Sequence, residues 1–323
     1  MIISASRRTD IPAFFGDWFI KRIEEGFFYN INPFNPRQVK GYSLLPEDVD
    51  AIVFWTKNPQ PFIKHLDYLD QRGYHYYFQY TLNDYPKIFE PHVPPVHERI
   101  ETFVELSKRI GKGKVIWRYD PIVISSLTPV EYHLEKIAYI SSCLKGQAQR
   151  AMISFLEFYS KVNNRLKKLE TQYGIQFTDF TANEHRKELL ELAEKFKEIA
   201  HKNGLQIFSC TETVDLDQIG IEPGSCIDGK LIQKLFGIQK RYRKDPNQRK
   251  ECLCVESVDM GVYNTCQFQC SYCYANFSEK MVHNNLNKHF KDSSSLINRY
   301  TEDIIILKDK TPRVKSGQLS LFD

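Results

Sequence analysis

Short apolar runs, which we predict to be buried strands, alternate with helical patterns along most of this 323-residue chain. The runs are rich in apolar, β-branched and aromatic residues and have the length of single strands. They cover Met1–Ser6, Ala51–Thr56, His75–Leu82, Lys114–Asp120, Ala151–Phe158 and Leu205–Cys210. The clearest helical patterns, Val96–Ile110 and Asn183–Asn203, are each followed by a glycine. Alternation over about six units favours a parallel β/α barrel or partial barrel over a β-sandwich.

Polar side chains follow these predicted strands. In parallel barrels, catalytic and binding side chains gather at the carboxyl ends of the strands. The residues in such positions are Ser6, Arg7, Arg8 and Asp10 after the first run, Trp55, Thr56, Lys57 and Asn58 after the second, Thr81 and Asn83 after the third, and Arg118, Asp120, Glu157, Cys210 and Glu212 after later ones. We expect these side chains to lie together at one edge of the sheet.

The alternation is interrupted twice. Residues Phe27–Leu45 are predicted to form a hairpin or a long loop. After Gly220 the chain is irregular and rich in cysteine, with one further strand expected near Ser257–Asn264. We therefore expect a barrel in residues 1–250, a cysteine-rich segment in residues 251–290 that completes it, and a C-terminal helix or linker with a tail peptide in residues 291–323.

Three cysteines of one short loop, Cys266, Cys270 and Cys273, have the spacing C-x3-C-x2-C. A structural zinc ion takes four protein ligands. A [4Fe–4S] cluster with three cysteine ligands keeps one iron open to a small molecule, whereas clusters for electron transfer normally take four. The spacing therefore favours an open [4Fe–4S] cluster. A zinc site completed by another cysteine and a set of inert thiols are the alternatives.

Four further cysteines, Cys210, Cys226, Cys252 and Cys254, precede this loop. Together they could hold a second, fully ligated [4Fe–4S] cluster or a zinc ion with four cysteine ligands. Because they lack the paired C-x2-C spacing of zinc ribbons, we favour iron and sulfur. The remaining cysteine, Cys143, lies in an apolar run and is predicted to be a buried core residue.

The expected compartment is the cytoplasm. The first residues have no signal-peptide pattern, and no apolar run is long enough to span a bilayer. Cysteines in that compartment are more often metal ligands or catalysts than disulfides. The net charge of +4 is too small to indicate a nucleic-acid partner by itself, but residues Lys230–Lys250 are strongly basic. That stretch is either a solvated face or a surface that contacts phosphates.

Four segments of the chain resemble a known family. They are Ser6–Ala13, Phe54–Pro59, Trp117–Ile122 and Glu251–Asn276. Through them the chain resembles, over nearly its full length, the domain of unknown function 1848 family. The resemblance implies no substrate, because none is established for that family.

The three-cysteine loop, with Tyr272 just before its last cysteine, resembles the cluster loop of the radical S-adenosylmethionine superfamily. Thr56 and Lys57, residues 80–83, Arg99 and residues 118–122 are similar, in the same order, to elements of spore photoproduct lyase-like radical enzymes, which act on damaged DNA. These resemblances imply a (partial) β/α barrel of the radical S-adenosylmethionine type. Because the cluster loop follows all the other strands here, the barrel would be circularly permuted.

The same superfamily resemblance implies the cofactors and a redox partner. The cofactors are a [4Fe–4S] cluster and S-adenosylmethionine, and the partner is an electron donor such as flavodoxin or ferredoxin. The candidate catalytic residues are Lys57, Arg118, Asp120 and Glu157, with Arg118 for the methionine carboxylate and Asp120 or Glu157 for ribose hydroxyls or substrate. The candidate cofactor-binding residues are Arg7, Arg8, Asp10, Asn264 and Tyr272. Each charged residue could equally belong to a structural ion pair at the barrel rim.

The last residues, Gln318–Phe322, form a separate signal after the polar stretch Lys308–Gly317. Their sequence, Gln-Leu-Ser-Leu-Phe, is similar to the pentapeptide with which bacterial polymerases and repair proteins bind the DNA sliding clamp. An extended peptide of this kind seats its Leu and Phe in a hydrophobic groove. The alternative is a tail that packs these side chains onto the barrel.

The function predicted from these features is a radical S-adenosylmethionine enzyme that generates a 5′-deoxyadenosyl radical, with nucleic acid as the substrate for repair or modification. One alternative is a non-catalytic iron–sulfur protein that binds nucleic acid. The other is a zinc-stabilised barrel hydrolase.

Overall fold

The computed structural model of this chain describes residues 1–32 and 35–299. Its strands are β1 (Ile2–Ala5), β2 (Phe27–Asn32), β3 (Asn35–Ser43), β4 (Ala51–Thr56), β5 (Tyr76–Thr81), β6 (Val115–Ile122), β7 (Arg150–Phe155), β8 (Gln206–Ser209) and β9 (Val258–Asp259). Its α-helices are α1 (Ile11–Phe14), α2 (Gly16–Glu25), α3 (Leu66–Gln71), α4 (Val96–Ile110), α5 (Val130–Cys143), α6 (Ser160–Tyr173), α7 (Arg186–Lys202), α8 (Gly229–Phe236) and α9 (Glu279–Leu286). Short 3₁₀-helices lie at Pro46–Asp48, Gln60–His65, Asn183–His185 and Asp217–Ile219.

Seven strands form one sheet in the order β9–β1–β4–β5–β6–β7–β8, and every neighbouring pair is parallel. From β1 to β8 the order follows the chain, with β9 added beside β1. Strands β2 and β3 form a separate antiparallel hairpin. The six predicted strands and the hairpin are confirmed, and the fold is mixed α/β with a seven-stranded parallel sheet flanked by helices.

The two faces of the sheet have different covers, because successive strand residues point to opposite sides. On one face, Ile3, Phe54, Phe78 and Trp117 pack with α2, α4, α5 and α7 in the main hydrophobic core. The residues of the opposite face are Ile2, Val53, Tyr77, Ile116, Met152 and Phe208, which pack against α8 and three cysteines of residues 226–254. The irregular, cysteine-rich part of the chain therefore covers one side of the sheet.

Strand β9 is only two residues long and lies at the edge of the sheet. It pairs with β1 through Ile3 opposite Val258 and Ser4 opposite Asp259. The strand expected near Ser257–Asn264 is thus present, although shorter than that range. Its position sends the chain that follows it to the same sheet edge as the residues that follow β1.

The Asp259 carboxylate fastens β9 to the end of β1. It accepts hydrogen bonds from Ser4 Oγ at 2.9 Å, Ser6 Oγ at 2.7 Å, and the backbone N–H groups of Arg7 at 2.8 Å and Gly261 at 2.9 Å. Gly261 is required by close approach, since a Cβ atom there would lie 1.9 Å from Ser6 Oγ. Two segments about 250 positions apart in sequence are therefore joined at one point.

The C-terminal part differs from the expected division. The last described helix, α9, lies within residues 251–290, and residues 291–299 contain no helix. Residues 300–323, which include the predicted linker and tail peptide, lie outside the described residues. Among the helices of the described residues, none is long and apolar enough to cross a membrane.

Candidate functional site

A cavity of about 920 Å³ lies where the central strands end at their carboxyl side. It is lined by residues in or just after the C-terminal halves of β1, β4, β5, β6 and β7, which include Ser6, Arg7, Arg8, Asp10, Trp55, Thr56, Lys57, Thr81, Arg118, Asp120 and Glu157. Of the candidate residues from the sequence, Asn58, Asn83 and Asn264 do not line it. The expectation that polar residues after the strands gather at one edge is confirmed for the others.

Seven of the eight cysteines of the chain line this one cavity. Cys266, Cys270 and Cys273 come from the loop between β9 and α9, and we call them the loop cysteines. Cys210, Cys226, Cys252 and Cys254 also line the cavity but pack in a different cluster of buried residues from the loop cysteines, and we call them the second cysteine set. Cys143 lies elsewhere, half-buried against the main core at the end of α5.

Two asparagines give the loop its shape. Asn264 has a left-handed backbone with φ of 59°, a conformation that asparagine tolerates better than most residues. Its N–H donates to the Ala275 carbonyl at 2.9 Å, and its Oδ1 accepts from Phe277 N at 2.5 Å. Asn276 Nδ2 donates to the Cys266 carbonyl at 2.7 Å. The predicted cofactor-binding residue Asn264 is therefore placed where it closes the loop.

A charged cluster lies buried behind Cys270. Lys57 Nζ donates to Glu90 Oε1 at 2.8 Å and to Tyr272 Oη at 3.0 Å, and Tyr272 also donates to Glu90. Arg99 Nη2 lies 3.9 Å from the second Glu90 oxygen. Burial alone would lower the pKa of Lys57, but the facing charges of Glu90 and Cys270 raise it above its ordinary value. Lys57 therefore stays charged beside the loop.

Asp10 connects this cluster to the first strand. As the N-cap of α1 it accepts from Ala13 N at 3.0 Å, and its other oxygen accepts from Lys57 N at 2.7 Å. Both oxygens thus have backbone donors. Burial raises the pKa of Asp10 to about 7, against these two hydrogen bonds.

The second cysteine set is brought together from three segments. Cys210 follows β8, Cys226 precedes α8, and Cys252 and Cys254 precede β9. Cys210 Sγ lies 2.9 Å from Cys226 Sγ, and Cys254 Sγ accepts from Ile227 N at 3.4 Å. Cys226, Cys252 and Cys254 belong to one buried cluster, and Cys210 packs against it. The hydrogen bond from Cys226, and then the charge of Arg118, lower the pKa of Cys210 to about 6 in spite of its burial.

The Arg118 guanidinium donates hydrogen bonds to an aspartate, a cysteine and a glutamine. Its Nε donates to Asp120 Oδ2 at 3.0 Å, and its Nη1 donates to Cys226 Sγ at 2.7 Å and to Gln79 Oε1 at 3.3 Å. Asp120 in turn accepts from the Ser154 hydroxyl. The structure thus places the predicted carboxylate-binding arginine against the second cysteine set.

The other candidate cations are Arg7 and Arg8. The Arg7 guanidinium lies 5.6 Å from the centre of the Trp55 ring, and its Nη2 is buried without a hydrogen-bond partner among the described residues. Arg8 lies 5.2 Å from the Tyr263 ring, and among the described residues its guanidinium makes a single long hydrogen bond, of 3.4 Å, to the Gly261 carbonyl. Arg8 thus keeps donors for an anionic ligand.

Two glutamates differ in their surroundings. Glu157 is paired with Arg249 at the cavity wall. Glu212 accepts from Phe155 N at 2.7 Å, and burial raises its pKa to about 8, with the negative charges of Cys210 and Asp120 adding to the rise. Glu212 is therefore protonated at neutral pH and can donate a proton into the cavity.

The donor chemistry of both cysteine sets suits soft metals, because thiolates favour zinc and iron–sulfur clusters. Within residues 1–32 and 35–299, no three or more His, Cys, Asp or Glu side chains form a group already arranged to hold a metal ion. The thiols of each set would have to rotate toward a bound metal. The cysteines of each set therefore suit a zinc ion or an iron–sulfur cluster by ligand type, although they are not already arranged around a metal position.

Three contributors to the site were missed by sequence reasoning. Glu90 and Asp259 supply the carboxylates for the Lys57 cluster and the β9 junction. Arg165, on α6, donates to the Asn276 carbonyl at 2.6 Å and to the Cys273 carbonyl. No local pattern marks these residues, since each acts on a partner that is distant in the sequence.

Comparison with known proteins adds a family. Residues 2–275 match the model of the family described as Domain of unknown function (DUF1848). Among curated proteins, none matches this chain in sequence.

We predict that Glu212→Gln stabilises the protein at high pH only. The folded-state pKa of Glu212, about 8, exceeds the ordinary value of 4.5, so the folded protein holds a proton that the unfolded chain releases between those values. Wild-type stability is therefore lost as pH rises through that window, whereas glutamine keeps the acceptor for Phe155 N without ionising. After a discount for partial exposure, we expect a gain of about 2 kcal/mol near pH 8.5 and none near pH 4.5.

Urea unfolding of both proteins at the two pH values measures this difference. Glu222→Gln, at an exposed position, is the matched control and should show no pH-dependent gain. Equal stability of Glu212→Gln and the wild type at both pH values would contradict the assignment.

Proposed function

Because the chain belongs to the family described as Domain of unknown function (DUF1848), we propose its function from its cavity: a radical S-adenosylmethionine enzyme on a permuted, partial β/α barrel. One observation carries the proposal. A loop with three cysteines opens into a cavity of about 920 Å³ at the carboxyl ends of parallel strands. Chemistry in parallel β/α folds is placed at that edge.

The loop cysteines would hold a [4Fe–4S] cluster through three irons, with S-adenosylmethionine at the fourth. The chemistry supplied by that pair is a one-electron reductive cleavage that yields methionine and the hydrogen-abstracting 5′-deoxyadenosyl radical. The chain's own contribution is to hold the ligands, orient the substrate and exclude water. An electron donor such as flavodoxin or ferredoxin completes the proposal.

Lys57 favours the thiolate form of Cys270, which is the form that binds a metal. Burial raises the pKa of the Cys270 thiol, and the positive charge of Lys57 opposes that rise, so it stabilises the thiolate that a metal requires. Glu90 and Tyr272 fix the position of the lysine through the hydrogen bonds described above. We propose Arg8, which has donors to spare, for anionic groups of the cofactor or substrate.

We predict that anaerobically purified, reduced protein gives a [4Fe–4S]⁺ electron paramagnetic resonance signal that shifts when S-adenosylmethionine is added. Cys266→Ala, Cys270→Ala and Cys273→Ala should each remove the signal component that responds. Cys143→Ala, a change of the same kind outside the cavity, should leave it intact.

An iron–sulfur signal indifferent to S-adenosylmethionine would favour the alternative, a non-catalytic iron–sulfur protein that binds nucleic acid. Colourless, air-stable protein carrying zinc would rule out the radical enzyme.

For the substrate we propose nucleic acid, to be repaired or modified, because exposed aromatic rings beside cations surround the cavity. Tyr159 and Tyr274 line it, with side chains 42% and 47% exposed. The Arg249 guanidinium lies 5.7 Å from the Tyr159 ring centre, and Lys161 Nζ lies 3.9 Å from the ring centre of Phe277. Bases stack on such rings while cations contact phosphates, which is how single strands are bound.

The basic stretch Lys230–Lys250 reaches this wall through Arg249, which lines the cavity. Its exposed cations are Lys230, Lys234, Lys240, Arg241, Arg243, Lys244, Arg249 and Lys250. Lys240 is paired with Asp50 at 2.6 Å and Arg249 is paired with Glu157, so part of this charge is already balanced. The remaining cations form a surface that extends away from the cavity and suits the phosphate backbone of a nucleic acid.

We predict that Tyr159→Ala weakens binding of a fluorescein-labelled single-stranded oligodeoxynucleotide by about 5- to 160-fold, the usual contribution of one stacked base. Lys161→Ala should lower the slope of log Kd against log salt by about 1. Fluorescence anisotropy at several salt concentrations measures both.

Helix α6 supplies the controls. Tyr173→Ala removes an exposed ring from the opposite end of that helix, and Lys168→Ala removes an exposed lysine from its middle. Neither residue lines the cavity. If the control variants weaken binding as much as Tyr159→Ala and Lys161→Ala do, the oligonucleotide binds elsewhere.

The tail peptide Gln318–Phe322 gives a second partner proposal, the DNA sliding clamp, which rests on sequence alone. We predict that deletion of residues 318–322 abolishes binding to an immobilised bacterial clamp, measured by surface plasmon resonance, whereas Ser320→Ala retains it. Unchanged clamp binding, or none in the full chain, together with lower thermal stability of the deletion, would favour a tail that packs on the barrel.

A further inference from the structure

The second cysteine set has a feature that the radical proposal does not use: four thiols converge at one wall although they come from three segments. Cys226, Cys252 and Cys254 are buried and Cys210 is half-buried. They pack against the face of the sheet that is covered by α8. Aliphatic side chains of similar volume would fill that space without reactive thiols. Four cysteines are therefore not needed for the core itself.

Buried hydrogen-bond donors surround this set. Arg118 Nη1 donates to Cys226 Sγ at 2.7 Å, which places a buried guanidinium against this sulfur. Two guanidinium groups lie near the Trp55 ring, with Arg118 at 5.0 Å and Arg7 at 5.6 Å from its centre. Trp55 also packs against the cysteine set.

Two of these donors have no acceptor. Arg7 Nη2 and Trp55 Nε1 are buried without a hydrogen-bond partner in the part of the chain that the structure describes. Both residues line the cavity together with the four cysteines. Leaving a buried donor unpaired is destabilising, so such donors need an explanation, and an anionic ligand rich in acceptors provides one.

We infer that Cys210, Cys226, Cys252 and Cys254 bind a second, fully ligated [4Fe–4S] cluster, with Arg7, Arg118 and Trp55 as the residues that position it and stabilise its charge. Four thiolates and an oxidised [4Fe–4S]²⁺ core sum to a charge of about −2. Asp120 partly neutralises the charge of Arg118, and Asp259 partly neutralises that of Arg7. The unpaired N–H groups therefore support a bound cluster more strongly than the positive charges do. A zinc ion offers the same net charge but no sulfide acceptors for those donors.

The test separates this cluster from the one proposed for the loop. Full-length Cys266→Ala/Cys270→Ala/Cys273→Ala protein, supplied anaerobically with iron and sulfide, should retain about four irons and four sulfides per chain. Adding Cys226→Ser and Cys254→Ser to that variant should remove them, whereas adding Cys143→Ser should not. Elemental analysis and a sulfide assay give the counts.

If the triple variant fails to fold, the wild type decides, since two clusters give about eight irons per chain and one gives about four. No metal in a folded triple variant, or one zinc ion per chain, would overturn the inference. Failure of the radical proposal looks different, because the wild-type signal would then ignore S-adenosylmethionine while the triple variant kept its iron.

A second readout addresses the positioning role. Arg7→Gln should shift the reduction potential of the retained cluster to more negative values, since a nearby cation stabilises the reduced, more negative state. Arg72→Gln, which removes an exposed arginine at the end of α3 that does not line the cavity, is the matched control and should leave the potential unchanged. Equal potentials for wild type and Arg7→Gln in the triple background would remove Arg7 from the assignment.

Discussion

The hydrogen bonds to the Asp259 carboxylate determine where the cavity forms. Strand β9 adds only two residues to the sheet, so its backbone hydrogen bonds alone contribute little to holding it against β1. The carboxylate adds four bonds, from Ser4, Ser6, Arg7 and Gly261. Bonds to a charged acceptor contribute about 1.5–3 kcal/mol each. Because they hold β9 against the end of β1, the loop cysteines reach the same cavity as the residues that follow the other strands.

Buried charge is the second constraint on this site. Lys57, Glu90 and Arg99 lie beneath the loop, and Arg118 lies beneath the second cysteine set. Apolar residues of similar shape would give comparable stability without the cost of desolvating charges. The adjacent cysteines best explain these buried cations. In both places a positive charge lies beside thiols that would have to be thiolates to bind a cluster. This view unites the two proposed clusters in one electrostatic setting.

Much of the site was predictable from local sequence, but the roles of its residues were not. Lys57 comes directly after β4 and Arg118 lies in β6, and both were expected in the cavity, where they lie. Their partners were not foreseen, because Glu90 is 33 positions from Lys57 and Cys226 is 108 positions from Arg118. Asn264 was expected to bind a cofactor, but the structure places it at the closure of the loop. Ion pairs and hydrogen bonds between distant segments leave no periodic signal.

The sequence by itself determined the strand and helix pattern, the edge at which polar residues gather, and the three-cysteine spacing of the loop. These depend on side-chain period and short spacing, which are local properties of the chain. Only the tertiary structure decided that β9 joins β1 and that Cys210, Cys226, Cys252 and Cys254 meet at one wall. Such contacts depend on long-range packing, in which burial and the pairing of polar groups select one arrangement among many that the local pattern permits.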